Sequence, residues 1–136
     1  MSTAAGGPAQ RLALTTLVVR DYDEAIGFYV DALGFTLEED TPLGDGKRWV
    51  VVSPGEGSAG LLLARASGPA QEARVGDQTG GRVGFFLHTD DFAASHARMV
   101  AAGVVFVEGP RREEYGDVAV FEDLHGNRWD LVGRTA

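Results

Sequence analysis

Hydrophobic positions along this chain change from strand-like to helix-like spacing and back again. The first segment, RLALTTLVVR from Arg11 to Arg20, is rich in β-branched and aliphatic residues and predicts a buried strand. Asp21 and Glu24 then form a capping-box pattern, and apolar residues recur at helical spacing up to Gly34. Alternating runs predict three more strands, at 35–38, 48–52 and 61–64. The predicted order of this half is βαβββ.

The same order returns in the second half of the chain. Residues 65–82 are rich in Gly, Ala and charge and predict a linker. After it we expect a strand at 83–88, a helix capped by Asp90 or Asp91 and ending at Gly103, a strand at 104–107 and a closing hairpin. The segments RWVVVSPGEGSAGLLL and DVAVFEDLHGNRWDLV correspond position for position, which indicates a duplicated module.

The predicted fold class is α+β, with two tandem βαβββ modules in one domain over residues 1–136. The modules cover about 11–64 and about 83–134, and residues 1–10 are expected to form a disordered arm. Each module is too small to bury its own sheet. We therefore expect the modules to pair edge to edge into a curved mixed sheet, with the helices on its outer face and a concave inner face.

The closing hairpin, FEDLHGNRWDLV, carries the first candidate for chemistry. Its turn lies at Asp123 to Asn127, and side chains alternate along the return strand. Trp129 and Leu131 therefore share one face, and Asp130 lies on the other with Arg128. The hairpin alone leaves open whether Asp130 is solvated or lies inside a pocket.

Composition excludes several classes of partner and site. The chain has 136 residues, 44% of them hydrophobic, a formal net charge of -8 and no cysteine. Nucleic acid and anionic membranes demand a basic surface, so neither is expected as a partner. The absence of cysteine excludes disulfides, Cys-ligated zinc and a thiol nucleophile. With no long apolar run and no secretory signal pattern at the N-terminus, we expect a cytoplasmic protein.

These features resemble the vicinal oxygen chelate superfamily, which includes glyoxalase I, bleomycin-resistance proteins, fosfomycin-resistance transferases and extradiol dioxygenases. The resemblance rests on the paired βαβββ modules, on VRDYDEAIGFYVDALGF and on FEDLHGNRWDL, and it covers roughly 12–132. One fold in this superfamily hosts many chemistries, so the resemblance implies a fold and a site location rather than a reaction.

Metal-dependent members place His, Glu or Gln ligands on four inward strand positions, which by resemblance correspond here to Leu14, Leu62, Phe85 and Asp130. One carboxylate and three apolar walls cannot replace the water that a hard cation loses. We therefore predict no metal and no cofactor. The histidines do not change this prediction, since His88 is expected to face the helices, His96 lies mid-helix and His125 lies at a hairpin tip.

Strand alternation predicts an apolar pocket with few polar groups, which is the usual composition of a small-molecule site. Trp49 and Phe121 could face either the pocket or the core, and Tyr115 lies in a predicted loop, 109–117, that could cover the pocket. The predicted ligand-binding residues are Leu14, Thr16, Trp49, Leu62, Phe85, Leu87, Tyr115, Phe121, Arg128 and Asp130.

Two functions follow from this pocket. The first is a metal-independent homodimer that binds an aromatic or amphipathic small molecule, with Asp130 or Arg128 fixing a polar end. The second is an enzyme of the lyase, isomerase or dioxygenase type, in which Asp130 acts as general acid or base or joins an atypical metal site.

Overall fold

The computed structural model describes residues 6–134. Of the predicted arm, residues 1–5 lie outside this range, and residues 6–10 form no helix or strand. The helices and strands follow the chain in the order β1 (Leu14–Val19), α1 (Tyr22–Ile26), β2 (Thr36–Gly44), β3 (Lys47–Ser53), β4 (Gly60–Arg65), α2 (Pro69–Glu72), β5 (Val83–Thr89), α3 (Phe92–Ala101), β6 (Val105–Glu113), β7 (Gly116–Glu122) and β8 (Arg128–Arg134).

Both halves of the chain build the same four-stranded mixed sheet. The strand orders are β1-β4-β3-β2 in sheet 1 and β5-β8-β7-β6 in sheet 2. In each sheet the first strand pairs in parallel with the last, and the remaining pairs are antiparallel. The predicted α+β fold with tandem βαβββ modules is confirmed.

Both main helices begin at the predicted aspartates. The side chain of Asp21 accepts a hydrogen bond from the Glu24 amide at 2.8 Å, and that of Asp91 accepts one from the Ala94 amide at 3.0 Å. Each bond satisfies an amide that has no partner inside the helix. After Ile26 the first helix continues as a π-helical segment, Gly27–Ala32, which carries it to the turn before β2.

The predicted loop at 109–117 is strand instead. β6 continues to Glu113 and pairs with β7 as far as Gly116, so the connection shrinks to the turn at Glu114 and Tyr115. The sequence suggested a loop because Gly109 and Pro110 interrupt the apolar run. Gly109 has a φ of +90°, and a Cβ atom there would lie 2.8 Å from the Val118 carbonyl oxygen. Because glycine has no Cβ atom, the strand can form a bulge at this position and continue beyond it.

The two sheets do not join edge to edge within the chain. In the described residues they remain two separate sheets, and the inner face of each contributes to one shared core. Leu17 and Val50 reach this core from sheet 1, Trp129 and Leu131 reach it from sheet 2, and Tyr29 of the first helix lies between them. The other faces of the two sheets consequently lie on opposite outsides of the molecule.

The stretch predicted as a linker fixes sheet 1 to the closing hairpin. The Gln78 side chain accepts a hydrogen bond from the Val18 amide at 3.2 Å and donates one to the Thr16 carbonyl at 2.9 Å. Its backbone amide donates to Asn127 Oδ1 at 3.1 Å. The Gln78 side chain thus pairs with the free edge of β1, as a neighbouring strand would, and its backbone amide links this edge to the closing hairpin.

Candidate functional site

The pairing of β5 with β8 decides which side chains share a face with Asp130. Phe85 lies opposite Trp129, and Phe86 lies opposite Asp130. Phe85 stacks on Trp129 with ring centroids 4.5 Å apart, at the edge of the core, whereas Phe86 lies on the outer face and is 63% exposed. The predicted placement of Phe85 beside Asp130 is therefore wrong by one residue. Alternation divides the side chains of a strand between two faces, but it does not show which face meets the core. The register shift after Val83 also cannot be read from the sequence.

Two more predicted pocket residues belong to the core. Leu87 pairs with Leu131 and packs against the core, so it shares the corrected orientation of Phe85. Phe121 pairs with Trp129, is fully buried, and its ring centroid lies 5.7 Å from that of Trp129. The Phe121 and Trp129 rings hold the sheets together. Leu87 and Trp129 also line, with Phe85, a cavity of about 550 Å³ between the two sheets.

The outer face of sheet 1 carries the other predicted residues. Trp49, Leu14 and Val51 line a cavity of about 600 Å³ on this face. Leu62 pairs with both Thr16 and Val51, which puts all three on the same side of the sheet. At one edge of the cavity the Ser53 hydroxyl donates to Glu38 at 2.6 Å. Trp49, left open by the sequence, thus faces outward.

The outer face of sheet 2 combines buried valines with charge. Val118, Val120 and Val132 are buried and share the face of Asp130, because Val120 pairs with Asp130 and Val118 with Val132. β6 adds Glu108 and Arg111 beside these valines. Strand β5 contributes the exposed ring of Phe86. An apolar floor with a carboxylate in it can contact a ring and a polar group of one ligand.

Asp130 is the most unusual polar group on this face. Its Oδ1 atom is buried and accepts no hydrogen bond from any residue in 6–134. Burial raises the pKa of the Asp130 carboxyl, Arg111 opposes that rise and Glu108 adds to it. Arg128 does not pair with Asp130, since the nearest carboxylate to its guanidinium, at 4.0 Å, belongs to Glu122.

The remaining predicted residues lie at the margins. Thr16 is exposed on the outer side of β1, and Arg128 is exposed at the start of β8. Tyr115 is 48% exposed and lies in the tight β6–β7 turn. The long loop that was expected to carry Tyr115 over the pocket is therefore not formed.

The side chains at the superfamily's ligand positions do not fit a metal ion. Leu14 and Leu62 offer no donor atom, and in β5 the residue beside Asp130 is Phe86. Within residues 6–134, no group of three or more His, Asp or Glu side chains could hold a metal. His88, expected to face the helices, pairs with Val132 and so lies on the outer face, but as a single imidazole.

His125 is not an exposed tip residue, contrary to its sequence-based interpretation. Its side chain is 2% exposed, and its Nε2 atom accepts a hydrogen bond from the Arg20 amide at 3.3 Å. This bond joins the closing hairpin to the end of β1. It requires neutral imidazole with its proton on Nδ1, because a protonated Nε2 cannot accept.

Because of this bond, the contact between the closing hairpin and β1 should weaken at acid pH. Burial lowers the pKa of His125, Arg20 acts in the same direction, and Asp123 and Glu24 oppose it. Because the unfolded chain then binds the proton first, the free energy of unfolding should fall as the pH drops below about 6.5 and level off below the folded pKa. His125→Gln, which keeps an acceptor without titrating, should lose this dependence. Melting curves between about pH 7.5 and 5 test it, with the same substitution at the exposed His88 as the control.

The chain is similar in sequence and in structure to several known proteins. The family model of the Glyoxalase/Bleomycin resistance protein/Dioxygenase superfamily matches residues 11–131. An uncharacterised protein of Shewanella frigidimarina is 55% identical over 125 residues, which cover 90% of this chain and 93% of that protein. The crystal structure of UcmS2 is similar with a TM-score of 0.80 and 30% identity, covering 93% of this chain and 99% of that one. TnmS3, an antibiotic binding protein from Streptomyces sp. CB03234, is similar with a TM-score of 0.76 and 31% identity over 93% of this chain and 98% of its own.

No helix within residues 6–134 is long and apolar enough to cross a membrane.

Proposed function

Because the chain belongs to the Glyoxalase/Bleomycin resistance protein/Dioxygenase superfamily, we propose that it is a cytoplasmic, metal-independent protein that binds an aromatic or amphipathic small molecule. Structural similarity to the antibiotic binding protein TnmS3 supports a binding role. The apolar residues at the superfamily's ligand positions support a function that needs no metal or other cofactor. The net charge of -8 supports a small-molecule partner over nucleic acid.

The observation that carries this proposal is a pair of aromatic side chains on the outer faces. Trp49 is 36% exposed on sheet 1, and Phe86 is 63% exposed on sheet 2, although each belongs to a residue type that folding usually buries. Each ring lies next to aliphatic residues of its own sheet, so each face offers a surface for stacking a planar ligand.

The two faces point away from each other in one chain, so a closed cup needs a second copy. We therefore propose a homodimer in which sheet 1 of one protomer faces sheet 2 of its partner, giving two equivalent cups related by a two-fold axis. Each cup would then combine Trp49 of one protomer with Phe86 of the other. Such pairing also covers apolar surface that a single chain leaves open, including Val105, 58% exposed on β6.

A mixing experiment tests both parts of the proposal. Trp49→Ala and Phe86→Ala should each form dimers and each lose binding of a planar ligand found by tryptophan quenching. After the two variants are unfolded and refolded together, each mixed dimer should regain one cup in which both rings are present. Binding measured by calorimetry should return in about a quarter of all cups, since about half of the dimers are mixed.

Two results would reject parts of this proposal. A monomer mass in light scattering at micromolar concentration would reject the dimer. No recovery of binding in a mixture shown by mass spectrometry to contain mixed dimers would reject the shared cup. Refolding each variant alone is the control, because neither can restore a cup by itself.

A further inference from the structure

We propose that the ligand of this cup is a planar aromatic cation and that the carboxylate of Asp130 is its counter-ion. The inference rests on the proposed function and adds the charge of the ligand to it. It is drawn from the unmatched carboxylates on the two outer faces.

Asp130 has an acceptor atom with nothing to accept from. Its Oδ1 atom is buried and unpaired within residues 6–134. A buried acceptor that has lost water and gained no donor destabilises the protein, and the deficit is larger for a carboxylate than for a neutral group. Protein atoms cover Oδ1 itself, but the Asp130 side chain is partly exposed, so a ligand with a positively charged N–H donor could contact the accessible part of the carboxylate and offset the loss of hydration.

The two nearby cations are engaged elsewhere. Arg111 contacts Glu113 at 2.7 Å and Glu108 at 3.5 Å, so two carboxylates of its own strand neutralise it. Arg128 is exposed and approaches Glu122 instead. The face of sheet 2 consequently has an excess of negative charge around its apolar floor.

Sheet 1 repeats this imbalance independently. Its cavity is lined by Glu38, Glu39 and Glu56, against one cation, Arg11, among the described residues that line it. Trp49 lines the same cavity as these carboxylates and the apolar residues Leu14 and Val51. The face of an indole ring attracts cations, so the aromatic surface and the carboxylates favour the same ligand.

Binding of a cation beside Asp130 should depend on pH in a direction that a neutral ligand would not reproduce. Burial raises the pKa of the Asp130 carboxyl in the free protein. A bound cation favours the ionised form and would lower that pKa again, so binding should release a proton. Affinity for the cation should therefore increase with pH through the titration of Asp130 and then become constant.

Three planar three-ring probes separate charge from shape. These are 9-aminoacridine, a cation at neutral pH, acridone, which is neutral, and anthraquinone-2-sulfonate, an anion. We expect the cation to bind the wild-type dimer at least about tenfold more tightly than acridone and the anion to bind more weakly still, with a preference that decreases as salt is added.

Asp130→Asn keeps the shape of the side chain and removes its charge. It should reduce the preference for the cation by about tenfold while leaving the affinity for acridone unchanged, and it should abolish the pH dependence. Glu56→Gln tests the sheet 1 side of the cup and should reduce the preference by a smaller factor. Asp77→Asn, in the exposed linker, changes the net charge equally and should leave all three affinities as they are.

Each outcome decides the inference. Cation selectivity that falls in Asp130→Asn but not in Asp77→Asn supports it. If acridone or the anion binds as tightly as the cation, the inference about charge is overturned while the proposed function stands. If none of the three probes binds, the proposed function is overturned and the charge inference with it. Equal selectivity in wild type and Asp130→Asn would remove Asp130 as the counter-ion.

Discussion

Replacing Phe85 by alanine should lower the melting temperature by on the order of 10 °C, whereas the same replacement at the adjacent Phe86 should leave it nearly unchanged. Phe85 stacks on Trp129 at the edge of the core, and its removal leaves a cavity against an aromatic ring that also contacts Tyr29, Phe35 and Phe121. Truncation of a ring in such a position costs about 2 to 4 kcal/mol.

Phe86 is a matched control because the residue type, strand and substitution are the same and only the face differs. Its ring is 63% exposed, so truncation should change the free energy of unfolding by less than about 0.5 kcal/mol. Urea unfolding of both variants measures the difference, and ligand titration should give the reverse order, with Phe86→Ala the weaker binder. If Phe86→Ala proved the more destabilised of the two, the strand faces assigned here would be reversed.

The fold could be predicted from the sequence because its signals are local and occur twice. Asp21 and Asp91 each mark a helix start, and the hairpin at 123–127 carries its own turn residues, so each element is specified by residues that contact it directly. The tandem βαβββ order then follows from comparing one half of the chain with the other.

Which face of each strand meets the core could not be predicted from such local signals. In β5 both Phe85 and Phe86 are aromatic, so alternation offers two equally apolar faces. The choice depends on pairing with β8, where Trp129 must meet the core. That constraint joins residues 44 positions apart, from Phe85 to Trp129, and no local pattern contains it.

The joint between the modules was missed for a similar reason. Gln78 and His125 lie in stretches with the composition of exposed loops, yet Gln78 makes three long-range hydrogen bonds and His125 makes one. Polar residues in a turn are ordinary, so their type gave no signal. The cluster DLHGN did contain one hint, because Asp and Asn four residues apart across a tight turn often bond to its backbone.

Asp123 lies at the centre of the hydrogen bonds between the modules. Asp123→Ala should therefore be the most destabilising polar substitution in the chain, lowering the free energy of unfolding by about 3 to 5 kcal/mol. One carboxylate accepts four hydrogen bonds, from the Tyr29 hydroxyl at 2.7 Å, the His125 and Asn127 amides at 2.9 Å each, and Asn127 Nδ2 at 2.9 Å. The residue is 5% exposed, so the donors cannot turn to water when the carboxylate is removed.

Tyr29→Phe separates the two parts of this network. Burial raises the pKa of the Tyr29 hydroxyl well above its ordinary value, and the Asp123 carboxylate adds to the rise, so this group remains a donor at any pH at which the protein is folded. Its removal deletes one bond across the two modules and should cost about 1 to 2 kcal/mol, leaving the turn intact. Asp123→Ala should therefore cost clearly more than Tyr29→Phe in urea unfolding, and the double variant should cost less than the sum, because the two residues share one bond. Equal costs for the two single variants would mean that the turn amides find other acceptors, and strict additivity would mean that the Tyr29 to Asp123 bond contributes nothing to holding the modules together.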